Sequence, residues 1–212
     1  MRLKYNAPVT LTFALICTAI VAANQYLVPG LIDGLFTAEG SLTFKYNDIP
    51  AYARVFSYPF GHVGWEHLLS NMTLILLLGP ILEERFGSRA LVMMMFLTSV
   101  INGLINVFFF PTELVGSSGL VFMMIVLTSF NNIKKGEIPL TFLVIISLYM
   151  AREIFAAFKY DDISQISHII GGTCGSLFGF ASQVMKEHEI KNNKGSVPQS
   201  GGNPSSNQTI VM

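Results

Sequence analysis

Long runs of apolar residues, repeated along most of the chain, constrain its fold more than any other sequence feature. About 20 apolar residues in a helix that rises 1.5 Å per residue are enough to cross the hydrocarbon core of a bilayer. Glycine, proline and charged residues separate the runs and are typical of helix ends. The predicted spans are residues 8–28, 65–82, 90–110, 117–133, 138–158 and 163–185. The chain is therefore predicted to be an all-α, polytopic membrane protein with six transmembrane helices.

The small share of charged residues supports this prediction. Only 12% of the 212 residues are charged, whereas a soluble domain carries about 25%. Too few polar groups remain to cover a protein that faces water. The net charge is zero, so no broad basic field indicates nucleic acid as a partner. Cys17 and Cys174 lie in apolar stretches and are interpreted as small buried side chains rather than as a disulfide.

The basic residues are distributed unevenly between the two sides of the predicted membrane domain. Nine fall on one side: Arg2, Lys4, Arg85, Arg89, Lys134, Lys135, Lys186, Lys191 and Lys194. Three fall on the other: Lys45, Arg54 and Lys159. Because basic residues accumulate on the cytoplasmic side, both termini are predicted to be cytoplasmic.

The domain boundaries follow from the same patterns. Residues 1–185 are predicted to form the membrane domain, and residues 186–212, rich in Asn, Gly and Ser, a disordered cytoplasmic tail. The first run also has features of a cleavable signal peptide, with Arg2 and Lys4 before it and Val21-Ala22-Ala23 near its end. An uncleaved anchor is preferred, because an even number of spans accounts for the charge asymmetry.

Polar side chains in lipid are costly, so their positions are informative. His62, His67 and Asn71 lie within ten residues at the start of the second span. His67 and Asn71 are four residues apart and share one helix face. Hydrogen bonds that only pack helices are the alternative explanation, but three such groups near the outer surface favour a functional site.

The fourth span begins with the sequence Gly116-Ser117-Ser118-Gly119. This pattern is compatible with a simple helix N-cap. It is also compatible with an exposed nucleophile, because small neighbours let a substrate backbone approach and free N–H groups at a helix start favour an anion.

The sixth span contains His168, followed by a ladder of glycines at Gly171, Gly175 and Gly179. Small residues at this spacing let a neighbouring helix approach closely. If the ladder packs on the start of the fourth span, His168 can reach Ser118 and act as its general base. His67 and Asn71 could then donate hydrogen bonds to an oxyanion. The nearby acids Asp161 and Asp162 lie in the outer loop, so a Ser-His dyad is favoured over a triad.

Together these motifs resemble those of the rhomboid family of intramembrane serine proteases, over about residues 54–179. The histidine motif of the family corresponds to His62, His67 and Asn71, and its Gly-x-Ser-Gly motif selects Ser118 over Ser117. Its His-x2-Gly-x3-Gly element corresponds to His168, Gly171 and Gly175. Arg54 in the first outer loop and Glu83 with Gly87 match two further family positions.

The resemblance implies a six-helix rhomboid-like bundle with Ser118 and His168 as catalytic residues. It implies that His67 and Asn71 line the oxyanion site, with His62 and Gly116 in support, and that the fifth span and the outer loop after it gate substrate entry. Structural roles are implied for Arg54, Glu83, Gly171, Gly175 and Phe122. Phe122 stands where the family commonly has Tyr, so its ring can stack on His168 but carries no hydroxyl.

The implied substrates are single-span membrane proteins with small residues near the cut, and no metal or cofactor is implied. The simple six-span form is typical of bacterial members, so we expect a multi-pass protein of the inner (plasma) membrane. Two alternatives stay open: an inactive rhomboid-like protein that binds membrane clients, and a small transporter or channel that uses Asn102 and Asn106. Arg152 and Glu153 are interpreted as lying beyond a fifth span that ends near residue 150. The sequence gives no indication of oligomeric state.

Overall fold

A computed structural model describes residues 5–129 and 163–195, together with positions 140, 144, 147, 148 and 151. These residues contain seven α-helices and one short 3-10 helix. The only extended pairing among them is a single antiparallel bridge between Ala38 and Leu114. The prediction of an all-α fold is therefore confirmed for the described part of the chain.

The helices follow the predicted spans closely. They are α1 (Pro8–Tyr26), α2 (Leu31–Leu35), α3 (Ile49–Ser57), a 3-10 helix (Tyr58–Phe60), α4 (Trp65–Phe86), α5 (Ser88–Phe109), α6 (Ser118–Ser129) and α7 (Ile163–Gly195). Among the described residues, α1, α4 and α5 are long and apolar enough to cross a membrane, while α6 is a shorter apolar helix. The chain is a multi-pass membrane protein. The count of six stays a prediction, because the fifth span lies almost wholly outside the described residues.

Helix α7 extends beyond the predicted end of the sixth span. It continues from residue 185 to Gly195, through a segment rich in Lys and Glu, which are good helix formers. Residues 1–180 form one compact unit, and the rest of α7 belongs to a second. The predicted domain boundary at residue 185 stays a prediction, and residues 196–212 lie outside the described range.

The core of the first unit lies between α1, α4 and α6. Ile75 and Leu82 of α4 and Val121 and Leu127 of α6 are fully buried there. Helix α6 is apolar on every face, as expected of a helix surrounded by others. Cys17 and Cys174 are buried and unpaired, as predicted.

The carboxylate of Glu83 links three helices near the end of α4. It accepts hydrogen bonds from the backbone N–H groups of Val9 (2.9 Å) and Thr10 (3.1 Å), from the Thr10 hydroxyl (3.0 Å) and from the Ser88 hydroxyl (2.7 Å). The first N–H groups of a helix have no partner within it, so Glu83 caps α1 and ties it to α4 and α5. Gly87 then takes a positive φ of 81°, which lets the chain turn sharply between α4 and α5.

Candidate active site

The two serines before α6 lie in different surroundings. Ser117 is buried, and its hydroxyl is 3.1 Å from Nε2 of His62. Ser118, the first residue of α6, is half-buried. The hydroxyl of Ser117 is therefore engaged by His62, whereas the side chain of Ser118 is partly accessible.

Gly116 places the turn that carries Ser117 and Ser118 against α4. Its φ of 108° is strained for a residue with a side chain. A Cβ added at Gly116 would lie 2.6 Å from Cε1 of His67 and 3.8 Å from Nδ2 of Asn71. Only glycine fits this position, and its absent side chain lets both α4 residues reach the turn. The buried Asn71 Nδ2 has no hydrogen-bond partner within the described part of the chain.

Helix α7 packs directly on the start of α6 through its glycines. A Cβ added at Gly171 would overlap the carbonyl oxygen of Gly119, and one added at Gly175 would lie 2.5 Å from the carbonyl oxygen of Met123. The two backbones are thus in direct contact. This is the contact that the glycine ladder predicts.

His168 is held in this contact between α6 and α7. It is only 3% exposed, and its ring stacks on that of Phe122, with centroids 4.1 Å apart and planes inclined by 15°. Phe122 and Ser118 are four residues apart in α6 and therefore share one helix face. The imidazole lies along the face of α6 that begins at Ser118, and the expected stacking on Phe122 is present.

Two neighbours of the site were not among the predicted residues. A Cβ added at Gly119 would lie 2.8 Å from Nδ2 of Asn102 and 2.9 Å from the hydroxyl of Ser167. Asn102, which is 2% exposed, makes α5 a third wall of the site. The i, i+4 spacing of Thr98, Asn102 and Asn106 in an apolar span was the signal that could have indicated this.

His62 stays neutral at physiological pH. Burial lowers its pKa from 6.5 to about 3, and the nearby His67 contributes to the shift. The two rings meet edge to face, with centroids 5.0 Å apart. A neutral His62 can orient the Ser117 hydroxyl without adding a positive charge beside His67.

Arg54 lies in α3 and is engaged by acids of the segment between α2 and α3. Its Nη2 is 2.5 Å from Oε1 of Glu39 and 3.6 Å from Oδ2 of Asp48. These contacts connect α3 to the segment before it, and Glu83 is engaged by the ends of α1 and α5. Arg54 and Glu83 thus connect structural elements to one another. The acids Asp161, Asp162 and Glu153, together with Arg152, lie outside the described residues.

Comparisons with known proteins point to one family. The family model of the Rhomboid domain matches residues 50–183, more than half of the chain. The chain belongs to the rhomboid family. This rhomboid is 21% identical to "Rhomboid protease GlpG" of Haemophilus influenzae over 192 residues, which cover 89% of the chain and 98% of that protein. It is 25% identical to "Rhomboid-like protein 11, chloroplastic" of Arabidopsis thaliana over 162 residues, which cover 68% of the chain and 58% of that protein.

The site of this rhomboid combines groups suited to acyl transfer. A half-buried hydroxyl, a buried imidazole and a buried amide donor come from α6, α7 and α4 respectively. Such a set can supply a nucleophile, a base and an oxyanion donor.

Proposed function

We propose that this rhomboid is an intramembrane serine endopeptidase in which Ser118 and His168 form a catalytic dyad. The observation that carries the proposal is the stacking of His168 on Phe122, one helical turn after Ser118. This stacking supports the interpretation that the His168 imidazole is held on the same face of α6 as the Ser118 hydroxyl. The similarity to a named rhomboid protease along 89% of the chain agrees with it.

In the proposed reaction, His168 takes the proton of the Ser118 hydroxyl as the oxygen attacks the scissile carbonyl. The same imidazole then gives that proton to the leaving amine, which leaves an acyl-enzyme ester for water to hydrolyse. Stacking and burial limit rotation of the ring, so the base is oriented before substrate arrives. Ser117 is the poorer nucleophile, because His62 engages its hydroxyl.

The developing oxyanion requires hydrogen-bond donors at the start of α6. The buried Nδ2 of Asn71 is one candidate, and His67, which contacts Gly116, is another. The backbone N–H of Ser118 is a third, because the first N–H groups of a helix lack partners within it. An amide donor that binds only the charged transition state lowers the barrier without tightening the ground state.

The proposed substrates are single-span membrane proteins with small residues near the cut. A half-buried serine at the start of an apolar helix suits a peptide segment that unwinds from its own helix. We further propose a bacterial inner membrane location with both termini in the cytoplasm, on the basis of the nine-to-three charge distribution. The proposed reaction requires no metal or cofactor.

The test is cleavage of a single-span reporter in detergent and in vesicles. We expect Ser118→Ala and His168→Ala to abolish product, while Ser117→Ala keeps most of the activity. Ser117 is a matched control, since it is the neighbouring serine in the same turn. Equal product from wild type and Ser118→Ala would refute the proposal. Binding of the reporter without any cleavage by wild type would favour the client-binding alternative.

A further inference from the structure

An apolar cavity of about 490 Å³ lies between α1, α3, α5 and the start of α6, separate from the serine site. Its walls include Phe13 of α1, Phe60 of the 3-10 helix and Met95 of α5, and Leu120 of α6 closes it on the inside. Four apolar side chains at its margin are 41–54% exposed: Ile16, Phe56, Val92 and Phe96. The cavity is thus lined by the core on one side and has exposed apolar side chains at its margin.

The polar side chains in the cavity wall are already hydrogen-bonded elsewhere. The hydroxyl of Thr12 bonds to the hydroxyl of Tyr5 (2.9 Å), that of Ser88 to Glu83 (2.7 Å), and that of Ser99 to the carbonyl of Met95 (2.9 Å). A water molecule is stable in a cavity only where it finds several polar partners, and apolar cavities take apolar ligands instead. The wall therefore suits a hydrocarbon occupant.

The length of the cavity matches one leaflet of a bilayer. Its wall on α5 runs from Ser88 to Ser99, about 16 Å at 1.5 Å per residue. Half of the hydrocarbon core is about 15 Å thick. An acyl chain that enters beside Ser88 would therefore end near Pro59, Phe60 and Leu120, at the middle of the membrane domain.

The Ser88 end also carries groups that complement a phosphate. Arg89 follows Ser88 in the first turn of α5 and is exposed. The Glu83 carboxylate at the same end is bound by the N–H groups of Val9 and Thr10 and by the Ser88 hydroxyl, so Arg89 supplies the positive charge for a phosphate. The apolar walls match the acyl chain of a phospholipid, and the cation at one end matches its anionic phosphate.

We propose that the cavity binds one acyl chain of a membrane phospholipid, whose phosphate lies beside Arg89 at the start of α5. The bound chain contacts Leu120, two residues after Ser118, and supports α6 on a face next to the one that packs on the glycines of α7. Occupancy then stabilises the helix start that carries the serine. This site is independent of whether Ser118 is catalytic.

The direct test is photo-crosslinking of the full chain in phosphatidylcholine vesicles that contain a phosphatidylglycerol with a diazirine at the end of its acyl chain. We expect peptide mapping to find the crosslinks at Pro59, Phe60 and Leu120. Crosslinks spread evenly over exposed faces such as that of Leu77 on α4 would overturn the proposal. Efficient disulfide formation between two copies of Val92→Cys, or of Phe96→Cys, in the same vesicles would also overturn it, because the exposed margin would then face a second copy.

Two neighbouring residues of α5 provide a matched pair of variants. Val92 lines the cavity, whereas Met93 is exposed (64%) and is not part of its wall. Val92→Trp fills the opening, and displacing even two methylene groups of the lipid lowers binding about tenfold. Met93→Trp should leave crosslinking unchanged, and equal losses in both variants would refute a specific site.

The headgroup contact has its own test. Arg89→Gln should lower crosslinking of the phosphatidylglycerol about fivefold, the effect of one basic residue near a membrane surface. The same variant should not change crosslinking of a diacylglycerol that carries the same diazirine chain. An equal effect on both lipids would contradict the assignment of the phosphate to Arg89.

Discussion

Replacing Gly171 by alanine adds one methyl group at the closest contact between α6 and α7. The new carbon would overlap the carbonyl oxygen of Gly119, and the backbones must separate by about 1 Å to bring it to 3.0 Å, below which real Cβ contacts are essentially absent. Overpacking of this kind costs about 1–3 kcal/mol of stability. The same shift moves His168 away from Ser118, and a misplacement of about 1 Å lowers a reaction rate about 100-fold.

The assay is cleavage of a single-span reporter by purified variants, with kcat and KM measured separately. We expect Gly171→Ala to lose about 100-fold in kcat. Gly172→Ala is the matched control, because a Cβ there would lie 3.5 Å from Cγ2 of Val126, an ordinary contact. Gly172→Ala should therefore keep wild-type turnover. Wild-type kcat in Gly171→Ala, or equal losses in both variants, would refute the reasoning.

Three further predictions concern α4 and the turn before it. Asn71→Ala should lower kcat about 100-fold or more with little change in KM, because the amide acts on the transition state; a change confined to KM would argue against this role. The pKa of His62 falls from 6.5 to about 3 on folding, so its contribution to stability is complete above pH 6.5 and is lost as the pH falls. When the pH is lowered from 7.5 to 5, the free energy of unfolding, measured by denaturant titration, should fall by about 2 kcal/mol more in wild type than in His62→Gln. An equal fall in both proteins would contradict the assignment. Glu83→Gln should lower the free energy of unfolding by about 1.5–3 kcal/mol, since it weakens charge-assisted hydrogen bonds to α1 and α5. Glu84→Gln, at the exposed neighbouring position, should be neutral, and an equal loss there would exclude a specific role for Glu83.

Local patterns were sufficient to predict the long helices α1, α4 and α5 and the contact between α6 and α7, but not the short helices α2 and α3. Apolar length indicated α1, α4 and α5, because a bilayer imposes a minimum length on each spanning helix. The spacing of Gly171 and Gly175 indicated close packing, because only small residues allow two backbones to touch. Both features depend on neighbours within a few residues of sequence.

The pairings between distant residues could not be read from such patterns. Glu83 marked the end of the apolar run, and nothing nearby showed that it would accept bonds from Val9 and Thr10, more than 70 residues away. The hydrogen bond between His62 and Ser117 joins residues 55 apart. Such pairs depend on how the helices are arranged in space. For the same reason Asn102 was not assigned to the wall behind Gly119.

The most direct test of the account is covalent labelling of the full chain by a fluorophosphonate probe, which reacts with activated serine hydroxyls. The account predicts a single modification, mapped by mass spectrometry to Ser118, which persists in Ser117→Ala and disappears in His168→Ala. Labelling of Ser117 instead, or labelling of Ser118 that is undiminished without the His168 imidazole, would contradict it.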